Sequence, residues 1–292
     1  YLTLSKAMFF PVWLALLHAL HLPYLISGAA LWCGAALLAV FAFSTLWRKK
    51  DTAQGRVLTL GLFAALAFLP SSWAAYTLRV YRDNIFPALC LYFFAGMAGM
   101  ALRAVFTPEK PLWPWLAAAG AGLACGYLDR EDAGLFLLPF AAAATVIVAV
   151  VLAGKRRWKA LAAQVIPYVM LGVGVLTFCT LNYTHYGVFA LSDFSEGSFA
   201  AAMGAMMRVD TDSTAPYLSV PADAREKMYD AVPELEPLAY WLEEDAQLQN
   251  DFRDPNLDDY RAGSFYWAIR RAAQFEAVSY THLRAHETLS DL

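Results

Sequence analysis

The residues of this sequence that are suited to chemistry are charged groups placed beside long apolar stretches. Four of them are consecutive, from Asp129 to Asp132, and lie between two such stretches. Guanidinium groups bind phosphate bidentately, and carboxylates bind sugar hydroxyls, metal ions or a partner arginine. The candidate substrate-binding residues are Lys6, Arg79, Arg82, Asp83, Asp129, Arg130, Glu131 and Asp132.

Two interpretations of these charges are open. A charge near the centre of a membrane helix costs about 2.5–3.5 kcal/mol, so the run from Asp129 to Asp132 lies either at the lipid surface or in a polar site. Arginines and acids beside membrane spans also serve as interface anchors or as mutual salt bridges. Four consecutive charges exceed what anchoring needs, and adjacent acids repel each other unless a cation offsets them. A polar site is therefore the preferred hypothesis.

The composition indicates a membrane protein. The chain of 292 residues is 59% hydrophobic and only 16% charged, and its mean hydropathy is positive. The four cysteines lie within apolar stretches and show no zinc-binding spacing, so they are interpreted as small buried side chains. Neither a phosphate-binding glycine loop nor a motif of soluble hydrolases is present.

The apolar stretches predict an all-α, polytopic bundle of about six transmembrane helices in residues 1–184. A spanning helix needs roughly 17–25 apolar residues. A shorter apolar helix over residues 5–20 is predicted to precede the first span as an amphipathic or partly inserted segment. The six predicted spans are 24–47, 57–77, 85–106, 112–128, 133–153 and 161–181.

The basic residues predict the orientation of this bundle. Ten of the fourteen Lys and Arg residues before residue 185 fall in three alternate loops, which are therefore expected to be cytoplasmic. The opposite, extracytoplasmic face then carries the candidate residues. An acidic segment at 185–277, with 17 Asp and Glu against 7 Lys and Arg, is expected on that face as a soluble, mainly helical domain.

Both ends of the chain are expected to be incomplete. Residues 278–288 can be back-translated to a string that resembles a transposase adapter used for sequencing libraries, so 278–292 is interpreted as adapter read-through. The chain starts at Tyr1 inside a patterned segment, which is typical of an internal fragment.

Three short motifs resemble those of bacterial integral-membrane glycosyltransferases of the GT-C type, which include protein O-mannosyltransferases and aminoarabinose transferases. The first runs from Ser5-Lys6 through Phe9-Phe10-Pro11 to Leu14-Ala15-Leu16-Leu17, before a predicted span. The second is Arg79-Val80-Tyr81-Arg82-Asp83, and the third extends from Gly126 through the charged run to Pro139. The resemblance covers roughly residues 1–184.

The resemblance implies transfer of a sugar from a polyprenyl-phosphate donor to an envelope acceptor, in the bacterial cytoplasmic membrane. It implies donor-phosphate or acceptor-positioning roles for Arg79, Arg82, Arg130 and Glu131, and it allows a divalent metal. The family's catalytic acid lies in a loop expected upstream of Tyr1, so no catalytic residue is assigned. The expected partners are the lipid bilayer and the lipid-linked sugar, with no nucleic acid. The alternative is a non-enzymatic membrane protein, such as an envelope scaffold or a transporter component.

Overall fold

The computed structural model of the chain describes residues 6–47, 53–74, 78–130, 132–194, 197–215 and 217–290, with side chains described up to residue 277. These residues form helices and no strand, which confirms the predicted all-α class for the part described. The chain divides into two compact units, Tyr1–Glu196 and Gly197–Leu292.

The described part of the first unit is built from helices joined by short turns. Three short 3₁₀ turns, at Ser44–Leu46, Pro70–Trp73 and Arg82–Asn84, lie at helix ends or between helices. The helices are α1 (Phe9–Ala19), α2 (Tyr24–Phe43), α3 (Ala53–Ala67), α4 (Phe86–Phe106), α5 (Trp113–Asp129), α6 (Gly134–Gly154), α7 (Trp158–Ala163) and α8 (Ile166–Tyr186).

Within the described ranges, four helical stretches are long and apolar enough to cross a membrane. They are Tyr24–Leu46, Arg82–Phe106, Gly134–Gly154 and Trp158–Tyr186. Large apolar side chains project outward from them: Leu135 on α6 is 82% exposed and Val150 is 70% exposed. Such an outward apolar surface suits lipid and not water, so the chain is an integral membrane protein.

The two other predicted spans form shorter helices. α3 has 15 residues and ends at Ala67, well before the predicted end at residue 77. Pro70 explains this end, because a proline disfavours helical geometry at the residue before it, and Leu69 is extended, with ψ at 121°. α5 has 17 residues, at the lower limit for crossing a bilayer.

α4 lies at the centre of the first unit, where it packs against α2, α5 and α6, while α5 also packs against α8. Small residues allow the close approach of α4 and α5. A Cβ placed on Gly96 would lie 2.8 Å from the Trp115 carbonyl oxygen, and one on Gly122 would lie 2.7 Å from that of Leu89. Glycine is therefore required at both positions for this helix contact.

The second unit contains α9 (Gly197–Met206), α10 (Ala222–Ala231), α11 (Glu236–Ala239), α12 (Ala246–Phe252) and α13 (Ala262–Ser290). A π-helical turn at Tyr240–Glu244 follows α11, and Asp245 then caps α12 by accepting a hydrogen bond from Leu248 N–H. The core of this unit consists of buried aromatic and aliphatic side chains, with Leu242, Leu248, Tyr260, Phe265 and Ile269 at its centre.

Arg225 is buried in the second unit, with its side chain only 1% exposed. Its guanidinium donates to both carboxylate oxygens of Glu243, at 2.6 and 3.0 Å, and to Asp259 at 2.7 Å. Burial alone would raise the pKa of Glu243, but the hydrogen bonds and charges of Arg225, Tyr229 and Arg253 outweigh burial and lower that pKa below its ordinary value. The buried guanidinium of Arg225 is thus paired with two carboxylates, which offsets the cost of its burial.

The residues that follow α8 are tied to the end of that helix. The buried Asn182 side chain, near the end of α8, donates hydrogen bonds to the carbonyls of Ala190 (2.7 Å) and Leu191 (3.0 Å). These bonds hold the residues that follow Gly187, which ends α8 in the left-handed conformation at φ 70°.

Candidate functional site

The candidate residues converge at one end of the first unit. α4 and α5 are joined by a short loop and pack side by side, so the start of α4 and the end of α5 lie together. The segment before α4 carries Arg79, Arg82 and Asp83, and the loop after α5 carries Arg130 and Asp132. Lys6 reaches the same place from the N-terminal side of α1, because its amine lies 5.7 Å from the Tyr81 ring.

Arg130 links two acids. Its Nη1 donates to Asp83 Oδ1 at 3.1 Å, while Nε and Nη2 donate to the two oxygens of Asp132 at 3.0 and 3.1 Å. The guanidinium also lies 5.0 Å from the Phe86 ring. Arg79 reaches the second oxygen of Asp83 at 3.6 Å. The four side chains form one chain of ion pairs from the α5–α6 loop to the segment before α4.

These contacts shift the pKa values of Arg130 and Asp132 in opposite directions. The bidentate hydrogen bond from Arg130 lowers the pKa of Asp132 below its ordinary value, and partial burial opposes this effect. The same hydrogen bond raises the pKa of Arg130. Asp132 is therefore ionised at neutral pH and is poorly suited to act as a general base.

Asp129 is placed differently from its neighbours in sequence. It is the last residue of α5 and is only 1% exposed. Arg82 Nη1 approaches its carbonyl oxygen at 3.4 Å. A cation at this position suits the negative end of the helix dipole. The charged run is thus divided between a buried acid on the helix and the Arg130–Asp132 pair outside it.

Tyr81 lies at the centre of this site, although the placement of charges in the sequence did not select it. Three cations surround its ring, with Lys6 at 5.7 Å, Arg79 at 5.2 Å and Arg82 at 5.7 Å from the centroid. The Tyr24 hydroxyl lies within hydrogen-bond distance of the carbonyls of Arg79 (3.0 Å) and Tyr81 (3.1 Å), and it accepts from Tyr81 N–H at 3.3 Å. The Arg-Val-Tyr-Arg motif could have indicated this role of Tyr81, since it places one aromatic ring between two guanidinium groups.

Asn84 and Gly28 complete the contact between this segment and α2. The Asn84 amide lies so close to Gly28 that a Cβ there would clash with it. Together with the Tyr24 hydrogen bonds, this contact fixes the backbone that carries Arg79, Arg82 and Asp83.

The structure brings together seven of the eight predicted site residues, and Glu131 lies outside the described residues. Among the residues that the structure describes, no group of three or more His, Cys, Asp or Glu side chains is suited to hold a metal ion. Asp83 and Asp132 instead share Arg130 as their partner. The side chains that the structure describes at this site therefore do not form a donor set for a divalent cation.

Comparison of the chain with models of protein families, with curated proteins and with solved structures finds no match.

Proposed function

We propose that this chain has the function of a glycosyltransferase of the GT-C type, which uses a polyprenyl-phosphate-linked sugar and transfers it to an acceptor of the cell envelope. One observation carries the proposal: Lys6, Arg79 and Arg82 meet around Tyr81 at the end of an apolar helix bundle. A lipid-linked phosphate needs this combination, because its tail stays in the bilayer while its phosphate requires cations at the surface.

The chemistry assigned to these residues is electrostatic. In the proposed transfer, the bond between sugar C1 and the donor phosphate oxygen breaks and a bond from C1 to the acceptor oxygen forms. The acceptor hydroxyl proton passes to a carboxylate base, which is not assigned. Polyprenyl phosphate leaves with its negative charge, and Lys6, Arg79 and Arg82 stabilise that charge.

The basic residues of the bundle also bear on its orientation in the membrane. Lys155 Nζ donates to the carbonyls of Ala104 (2.8 Å) and Val105 (3.0 Å), so the basic loop after α6 lies at the same end as Arg103. This end is opposite the Tyr81 site, because α4 begins beside the site and ends at Phe106. The distribution of basic residues supports a cytoplasmic face with Arg103 and Lys155 and an extracytoplasmic face with Tyr81. We propose this orientation for a bundle of about six spans in a bacterial cytoplasmic membrane.

Binding of polyprenyl phosphate to the full chain in detergent micelles tests the phosphate role. Polyprenol of the same length is the control ligand, and Lys159→Gln, an exposed residue of α7, is the control variant. Arg82→Gln is expected to weaken binding of polyprenyl phosphate about tenfold, the effect of losing one charge-assisted hydrogen bond. Equal affinity for the phosphate and the alcohol would exclude a phosphate site.

A structural role for the same charges is the alternative, and the bidentate Arg130–Asp132 pair favours it. Incorporation of labelled sugar by membranes that carry the protein separates the two functions. The glycosyltransferase predicts that Arg82→Gln lowers incorporation while the melting temperature stays near that of the parent chain. An anchor or scaffold predicts no sugar transfer that depends on this chain, and a loss of stability when Arg130 is replaced by alanine.

A further inference from the structure

A second polar feature lies at the other end of the first unit. A cavity of about 590 Å³ opens between the end of α2, the end of α4 and the start of α5. Its apolar wall comes from Leu38, Phe41, Leu46, Phe106 and Trp115. This volume lies within the range of small-molecule sites, about 300–1,000 Å³.

The charged residues described in the lining of this cavity are all basic. Arg103 and Lys110 line it, and no acid is among its described lining residues. The Arg103 guanidinium is held in place, with Nη1 at 3.4 Å from the Pro111 carbonyl and Cζ at 5.1 Å from the Trp115 ring. Thr107 also lines the cavity, but its hydroxyl oxygen is buried. The cavity therefore offers two cations to an anion that accepts hydrogen bonds.

The rim of the cavity favours a lipid over a free anion. Phe41 is 61% exposed, Leu46 is 51% exposed and Phe106 is 49% exposed, and all three lie at helix ends. In a membrane these side chains contact acyl chains, while Arg103 and Lys110 lie at headgroup depth. A free anion would leave this apolar wall without a partner.

We propose that this cavity binds an anionic phospholipid, with Arg103 and Lys110 at its phosphate and with Phe41 and Phe106 against the first part of an acyl chain. The site is separate from the Tyr81 site and does not depend on the glycosyltransferase proposal. It makes the chain sensitive to the anionic lipid content of the membrane surface that carries its basic loops.

Lipid retained by the full chain tests this site. The protein is purified from vesicles that contain equal amounts of phosphatidylglycerol and phosphatidylcholine, and the bound lipids are measured by native mass spectrometry. Lys110→Gln is expected to lower the ratio of retained phosphatidylglycerol to phosphatidylcholine about fivefold, since one basic residue near the membrane surface contributes about 1 kcal/mol. Lys159→Gln removes the same charge outside the cavity and is expected to leave the ratio unchanged.

Two further measurements keep the test decisive. Arg103→Gln is expected to lower the ratio by a similar factor. Because Arg103 also packs against Trp115, this variant could lose stability, whereas Lys110 is exposed and its replacement changes only the charge. Millimolar inorganic phosphate is expected not to displace the lipid. If it did, the cavity would be a site for a free anion and not for a lipid. Equal ratios for Lys110→Gln and Lys159→Gln would overturn the proposal. Binding of polyprenyl phosphate is expected to be unchanged in Lys110→Gln, so each proposal fails independently.

Discussion

Arg130 lies 3.1 Å from Asp83, and this ion pair joins the loop after α5 to the segment that precedes α4. The two residues are 47 positions apart in the chain, and their side chains are 29% and 21% exposed. The pair therefore fixes the relative position of two segments that both carry phosphate-binding candidates.

Replacement of Asp83 by asparagine is expected to loosen this end of the bundle. A partly exposed ion pair contributes about 1 kcal/mol or less, so the fold is retained while the segments 79–84 and 132–134 exchange amide hydrogens faster. Hydrogen exchange followed by mass spectrometry measures this change. Glu109→Asn, an acid in the α4–α5 loop at the other end, is the control, and equal protection in both variants would show that the pair does not hold the segments.

The Tyr81 ring is expected to organise the three cations through its π face. Tyr81→Leu removes the ring, and Tyr81→Phe keeps it. A cation–π contact at an exposed site is worth about 0.5–1 kcal/mol, so Tyr81→Leu is expected to weaken polyprenyl phosphate binding about fivefold or more. Tyr81→Phe is expected to bind like the parent chain. Titration of both variants in the same micelles measures this difference, and an equal loss of affinity in the two variants would assign the effect to the hydroxyl.

Gly122 is expected to be required for the contact between α4 and α5. In Gly122→Ala the new Cβ would lie 2.7 Å from the Leu89 carbonyl oxygen, so the helices must separate. Overpacking of this kind costs about 1–3 kcal/mol, which lowers the melting temperature of the full chain in detergent.

Gly172→Ala, on α8, supplies the matched control for this packing effect. A Cβ at Gly172 meets no atom within 4 Å, so the same chemical change is expected to leave the melting temperature unchanged or higher. Equal melting temperatures of the two alanine variants would show that α4 and α5 tolerate a wider separation.

Glu243 is expected to make the second unit sensitive to acid. Its pKa is lowered in the folded chain, so its contribution to stability is complete above the unfolded pKa of about 4.3 and is lost as the pH falls further through the folded pKa. Glu243→Gln should remove this pH dependence and destabilise the unit by about 3 kcal/mol, because Arg225 stays buried with one acid fewer.

The neighbouring Glu244, which is exposed, allows a matched control for that variant. Hydrogen exchange over residues 220–270 of the full chain between about pH 3 and pH 6 reports the local stability. Glu244→Gln is expected to follow the parent chain at every pH. If Glu243→Gln also followed it, the buried network would contribute nothing to stability.

Much of the fold could be predicted from apolar patterning. The helix over residues 5–20 and the spans beginning near residues 24, 85, 133 and 161 correspond to described helices. The span predicted over 57–77 was too long, because its apolar run continues through Pro70 while the helix ends at Ala67. Hydropathy counts apolar residues, but the end of a helix depends on backbone geometry.

The sequence predicted which residues belong to the candidate site, but it did not predict which of them contact each other. Charge placement beside apolar runs selected Asp83, Arg130 and their neighbours. It did not select Tyr81 or Tyr24, because an aromatic residue at a membrane boundary is typical of many membrane proteins. The Arg225 network was also missed, since its partners Glu243 and Asp259 are distant in sequence and separated by turns.

The amino-acid sequence by itself determined that the chain is a helical membrane protein, since long apolar runs satisfy their backbone hydrogen bonds within lipid only as helices or closed barrels. It also predicted that the basic loops and the candidate residues lie on opposite faces of the membrane. Only the tertiary structure decided how the four consecutive charges are used. At Arg130 the backbone leaves the helix and becomes extended, with φ −134° and ψ 131°. Asp129 is therefore buried at the end of α5, while Arg130 turns toward Asp132 and toward Asp83 on the neighbouring segment. That choice depends on which helix ends pack together, a relationship that no local pattern contains.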